Sequence, residues 1–122
     1  MAAQAVKVPG PDHPITITKN LMRVVVTVGG KTIADTRHAL TLKEASYPPV
    51  QYIPRDDANM ALLERSDHSS HCPYKGDASY FSIPSAGAFN AVWSYENPNA
   101  AVAQIKNHLA FYPDRVDEIG MV

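Results

Sequence analysis

A run of β-branched residues from Arg23 to Val28, Arg-Val-Val-Val-Thr-Val, leads directly into Gly29-Gly30 and is followed by Lys-Thr-Ile-Ala-Asp-Thr over 31–36. Branched side chains suit a pleated, half-buried surface, and adjacent glycines supply the positive φ that a tight hairpin turn demands. The spacing predicts a β-hairpin. Ten prolines and six glycines divide the rest of the chain into short elements, because proline cannot donate to a sheet ladder. Strands are predicted at 15–18, where Ile and Thr alternate, and at 39–44 and 50–53, which Pro48-Pro49 separates and Pro54 closes. Two more, at 78–83 and 88–95, form a second hairpin across Pro-Ser-Ala-Gly, and another lies at 109–112. Residues 55–64 read equally as a helical turn or a short strand. One short helix is expected at 100–107, with Asn97 or Asn99 as N-cap and Val102, Ile105 and Leu109 at helical spacing.

The expected architecture is therefore mainly β, with one short helix near the C-terminus. Residues 1–14, which hold Pro9, Gly10, Pro11 and Pro14, read as an extended N-terminal arm, and 15–122 as a single β-rich domain. A chain of 122 residues buries roughly two-thirds of its unfolded surface and needs no covalent staple. Eleven basic and twelve acidic side chains leave a formal charge of -1, so the chain lacks the electrostatic footprint of a nucleic-acid or anionic-membrane binder. No window approaches the ~18 to 20 uninterrupted apolar residues of a bilayer span, and the N-terminus lacks a signal-peptide core. A cytoplasmic location follows as the expectation. With one cysteine, neither an internal disulfide nor a Cys-rich zinc site can form.

Chemistry concentrates in Ser66 to Ile83, Ser-Asp-His-Ser-Ser-His-Cys-Pro-Tyr-Lys-Gly-Asp-Ala-Ser-Tyr-Phe-Ser-Ile. Pro73 biases Cys72 toward extended geometry, and His71 and Lys75 are near enough in sequence to raise the thiolate fraction. Cys72 reads either as a nucleophile or as a small buried hydrophobe. Lys75 reads as an ammonium for a carboxylate, phosphate or oxyanion, with Gly76 allowing close approach, or as a turn lysine paired with Asp67 or Asp77. His71 is a candidate general base or a loop cap. His68 and His71 could share a metal only on a helix, which Ser69-Ser70 disfavours, so no metal and no organic cofactor is expected. Alternation puts Trp93 and Tyr95 on one face and Tyr80 on the neighbouring strand. With Tyr52 and Tyr112 they form either a core face or an aromatic-lined ligand cleft. Of the scattered arginines, each able to clasp a carboxylate, Arg55 sits best for an anionic substrate.

The phrases Gly-Gly-Lys-Thr-Ile-Ala-Asp-Thr-Arg-His-Ala-Leu at 29–40, Tyr-Pro-Pro-Val-Gln-Tyr-Ile-Pro-Arg-Asp-Asp at 47–57, the histidine-cysteine-lysine stretch at 66–80, Val-Trp-Ser-Tyr-Glu-Asn-Pro at 92–98 and His-Leu-Ala-Phe-Tyr-Pro-Asp-Arg-Val at 108–116 closely resemble the family catalogued as domain of unknown function 427. The resemblance implies two small antiparallel sheets meeting at an angle, similar to the β-tent of B-type methionine-sulfoxide reductases and of the thalidomide-binding domain. Relatives with that wider fold often hold zinc on two cysteine pairs, which this chain lacks. The family label hints at nucleotidyl transfer, yet no Gly-x-x-x-x-Gly-Lys-Ser/Thr phosphate loop and no metal-spaced carboxylate pair is present. A fold is not an activity.

Two functional expectations result. In one, the chain is a small-molecule pocket protein acting as a cofactor-independent enzyme on a small polar or anionic metabolite, with Cys72, Lys75 and His71 as catalytic groups. Arg55, Tyr52, Tyr80, Trp93, Tyr95 and Tyr112 then bind the substrate. In the other, the same groups serve a non-catalytic ligand-binding or interaction module, which includes pairing of a sheet edge in a homodimer.

Overall fold

The structure, a computed structural model, describes residues 5–122. The first four positions of the expected N-terminal arm lie outside the described residues. In chain order the strands are Ile15–Lys19 (β1), Val24–Val28 (β2), Lys31–Thr36 (β3), Leu40–Glu44 (β4), Val50–Tyr52 (β5), Glu64–Cys72 (β6), Gly76–Ile83 (β7), Ala88–Ser94 (β8), Ala110–Phe111 (β9) and Glu118–Met121 (β10). They build three antiparallel sheets, ordered β1-β4-β5, β10-β2-β3 and β6-β7-β8-β9.

The mainly β class and both predicted hairpins are present, but the count of two sheets is corrected to three. The first and third sheets are joined at one point, where Ile53 and Leu109 exchange backbone hydrogen bonds of 2.7 Å in both directions. This single bridge cannot merge them into one continuous ladder. Side chains from both sheets line a common wedge of space between them.

The β7–β8 hairpin is covered on both faces. Phe81, Ile83 and Val92 pack with Val24, Val26 and Ile33 of the β2–β3 hairpin. Ala78, Tyr80 and Tyr95 pack the other way, with Leu42 and Tyr52 of the first sheet. Period-two alternation explains the split, because neighbours such as Tyr80 and Phe81 must face opposite sides.

The helix expected at 100–107 is corrected to a six-residue 3-10 segment, Ala100–Ile105, broken by non-helical φ and ψ at Val102. Its buried anchors, Val102 and Ile105, are three apart, the period of a 3-10 turn, and six residues are too few for a cooperative α-helix. Asn99 does not cap it with its side chain. Its Nδ2 donates instead to the Pro73 carbonyl (3.0 Å) and its backbone N–H to the Lys75 carbonyl (3.0 Å).

A second correction concerns the stretch read as the Cys72 loop. Residues up to Cys72 form the nine-residue β6, and only Pro73, Tyr74 and Lys75 turn into β7. Because β6 is an edge strand exposed along most of its length, its sequence carries no apolar alternation to reveal it. The undecided stretch 55–64 contains two 3-10 turns, Arg55–Asp57 and Met60–Leu62. No helix among the described residues is long and apolar enough to cross a membrane.

Candidate functional site

The wedge between the first and third sheets is a cleft of about 200 Å³. Register and alternation decide its walls. Leu42 lies opposite Val50, so β4 presents Leu42 and Glu44 while β5 presents Val50 and Tyr52. Across the wedge, Tyr80 lies opposite Trp93, and Tyr95 continues the Trp93 face beyond β8. Tyr112 closes one side and Lys75 reaches in from the β6–β7 turn.

The rings enclose this space at varied angles. Tyr52 meets Trp93 edge-on, with centroids 6.3 Å apart and planes at 89°, and Tyr112 lies 4.5 Å from Trp93 at 46°. Trp93 Nε1 donates to the Tyr52 hydroxyl at 3.2 Å. The Tyr80 hydroxyl connects Ser70 Oγ (2.9 Å) with the Tyr112 hydroxyl (3.4 Å). Burial raises the phenol pKa of Tyr52 and Tyr95 far above the ordinary range and pushes that of Tyr112 up to about 12. These hydroxyls therefore act as neutral hydrogen-bonding groups near neutral pH.

Charge enters the cleft as a pair. The Lys75 ammonium is bonded to Glu44 Oε1, and each side chain is only 13% exposed. The other carboxylate oxygen, Oε2, lies 2.7 Å from His13 Nε2, and the His13 ring stacks on Tyr74 at 3.9 Å. Burial alone would raise the Glu44 pKa, but hydrogen bonds and charge from Lys75 and His13 outweigh it and hold the carboxyl below its ordinary value. The described part of the arm is thereby pinned, and Lys7 N–H adds a 3.0 Å bond to the Pro73 carbonyl.

Of the residues singled out from sequence, Lys75, Tyr52, Tyr80, Trp93, Tyr95 and Tyr112 come together on this cleft. Cys72, His71 and Arg55 are not among its lining residues. Cys72 is half-buried at the margin of the tyrosine cluster. His71 Nδ1 pairs with Asp77 Oδ1 across the β6–β7 ladder at 2.7 Å. Arg55 donates to Glu96 (2.9 Å), Ser94 Oγ (3.0 Å) and the Asn107 carbonyl (2.9 Å), which makes it a clasp between segments.

Gly76 also differs from its expected role. Its φ is 108°, and a Cβ there would stand 3.4 Å from Asn99 Oδ1 and 3.5 Å from the Asn97 carbonyl. The close approach is to the chain's own Asn97–Asn99 backbone. Lys75, read as a partner for Asp67 or Asp77, pairs with Glu44 instead.

Sequence reasoning noted Glu44 as an isolated acid without singling it out, and did not find His13. The alternation Leu40, Leu42, Glu44 carried a signal, because it continues an inward face to the carboxylate. His13 carried none, since it is 31 positions from its partner.

A second, apolar hollow of about 280 Å³ lies against Trp93 and is lined by Val26, Ile53, Phe111, Ile119 and Met121 among others. No group of three or more His, Cys, Asp or Glu side chains among the described residues is placed to hold a metal ion. The sequence model of a family described as a domain of unknown function (DUF427) matches residues 16–121. No curated protein matches the chain.

Proposed function

The chain belongs to the family described as domain of unknown function 427, and we propose that it is a small-molecule-binding protein whose site is the cleft between β4–β5 and β7–β8. The observation that supports this is the convergence of Lys75, Glu44 and six aromatic side chains from separate elements on one concave space. A few polar groups set among apolar walls are the usual make-up of a ligand site. At about 200 Å³ the cleft is smaller than the roughly 300–1,000 Å³ typical of drug-sized ligands, so the fit is to a small metabolite.

A catalytic reading centred on Cys72 has no comparable support. The thiol is absent from the lining, and the nearest predicted base, His71, is engaged by Asp77. The Lys75 charge is likewise compensated by Glu44, which disfavours capture of a simple anion.

Trp93 is the chain's one tryptophan, and because it borders both the cleft and the apolar hollow its emission reports on either, which variants on each side then tell apart. A panel of small aromatic alcohols, acids, amines and amino acids is titrated against the protein. Saturable changes that Tyr95→Phe or Lys75→Met weakens, and that Cys72→Ser and Ile119→Ala leave intact, are the expected result. Absence of any saturable change, or loss only in Ile119→Ala, would overturn the reading and in the second case move binding to the apolar hollow.

A further inference from the structure

Resting on that reading, we infer that the cleft selects a zwitterion carrying an ammonium and a carboxylate a few bonds apart on an apolar or aromatic body, the chemistry of a free α-amino acid. The geometry points to this class through the Glu44–Lys75 pair. Both side chains are only 13% exposed, both line the cleft, and they compensate each other across a direct contact. Each retains unused capacity, because an ammonium has three donors and each carboxylate oxygen a second lone pair.

A ligand that carries only a carboxylate can approach Lys75, but it brings its charge beside the Glu44 carboxylate. One that carries only an ammonium can approach Glu44, but it meets Lys75. In either case one charge is left badly compensated in a partly dry space, which is strongly unfavourable. A ligand bearing both charges extends the existing pair into a closed ring of alternating signs, so every charge keeps an opposite neighbour. His13, on the far oxygen of Glu44, keeps the carboxylate in place for this without occupying the lining.

The rest of the cleft suits the remainder of such a molecule. Trp93, Tyr112 and Leu42 supply apolar surface for the body. The Tyr95 hydroxyl, which has no side-chain hydrogen-bond partner among the described residues, can satisfy one further polar atom.

The test compares three compounds that share a phenyl ring and a two-carbon chain. They are L-phenylalanine, phenethylamine and 3-phenylpropionate, and the readout is Trp93 emission near neutral pH at low salt. L-Phenylalanine is expected to bind more tightly than either singly charged compound, by on the order of tenfold or more. Glu44→Gln is expected to shift the preference to 3-phenylpropionate, and Lys75→Met to phenethylamine. Equal affinities, or tighter binding of a singly charged compound by the wild type, would overturn the inference while leaving the cleft as a binding site. If none of the three produces a saturable change, the inference is overturned, and a response to uncharged members of the wider panel then shows whether the cleft reading survives. Should a variant not fold, the wild-type ranking alone decides.

Discussion

His13 Nε2 stands 2.7 Å from Glu44 Oε2, which makes a residue of the N-terminal arm the second partner of a carboxylate in the cleft. His13→Ala removes both this bond and the stack on Tyr74, so the arm loses its attachment beside the β6–β7 turn. The expected loss of stability is about 1 kcal/mol. Hydrogen exchange at the Lys7 amide, which donates to the Pro73 carbonyl, should accelerate more than exchange in β7 or β8. An unchanged Lys7 rate would mean that the arm is held by other contacts.

Acid should weaken the protein through Glu96. Its carboxylate accepts from Arg65, Ser79 and Arg55. The Arg65 hydrogen bond, against the opposing effect of burial and with help from Ser79 and Arg55, holds its pKa at about 2 rather than 4.5. Because the folded-state value is depressed, the stabilisation is fully present above about pH 4.5 and fades as the pH falls toward about 2. Urea unfolding across this window should show a falling free energy for the wild type. Glu96→Gln should flatten that fall and reduce stability near neutrality by on the order of 1–2 kcal/mol, allowing for partial solvent screening. Glu44, also depressed, adds to the same acid limb.

Gly76 should tolerate no side chain. At φ 108° an L-residue is strained, and its Cβ would press toward Asn99 Oδ1 and the Asn97 carbonyl. Gly76→Ala is expected to destabilise the fold by about 1–3 kcal/mol in thermal or denaturant unfolding. Since Asn99 also holds the Pro73 and Lys75 carbonyls, chemical-shift changes should extend to the 97–99 segment. A variant as stable as the wild type would show that the turn can relax.

Arg55→Ala should separate architecture from binding. The guanidinium ties Glu96, Ser94 and the Asn107 carbonyl together and touches no residue of the cleft lining through those bonds. Stability should fall by about 2 kcal/mol, while the affinity of any compound detected through Trp93 changes less than twofold. A selective loss of affinity at unchanged stability would restore Arg55 as a ligand contact.

Much of the fold was legible where alternation and turn chemistry agreed. Val24, Val26 and Val28 are buried in alternation, and Gly29 and Gly30 take the positive φ their hairpin requires. The aromatic wall was legible for the same reason, since a period of two puts Trp93 and Tyr95 on one side without any knowledge of what faces them. Strand β6 was not legible, because an exposed edge needs no apolar pattern. The segment at Ala100–Ile105 misled because Val102, Ile105 and Leu109 satisfy helical spacing while Asn99, one of the two cap candidates, is held by the β6–β7 turn. Partners were the hardest part. Neither the choice of Glu44 over Asp67 or Asp77 for Lys75 nor that of Glu96 for Arg55 is encoded at short range, as the first joins residues 31 apart and the second 41.

The hairpin of β7 and β8 carries a cleft wall on one side and the main apolar core on the other, with Tyr80 next to Phe81 and Val92 next to Trp93. Any shift of backbone that reshapes the recognition surface is transmitted to the interior one residue away. Descendants of this chain would accordingly find it easier to change specificity by substituting β4 or the Lys75 turn, which flank the hollow without contributing to the main core. Divergence in what these proteins recognise should therefore be written in those flanking segments, while the double-faced hairpin stays nearly invariant.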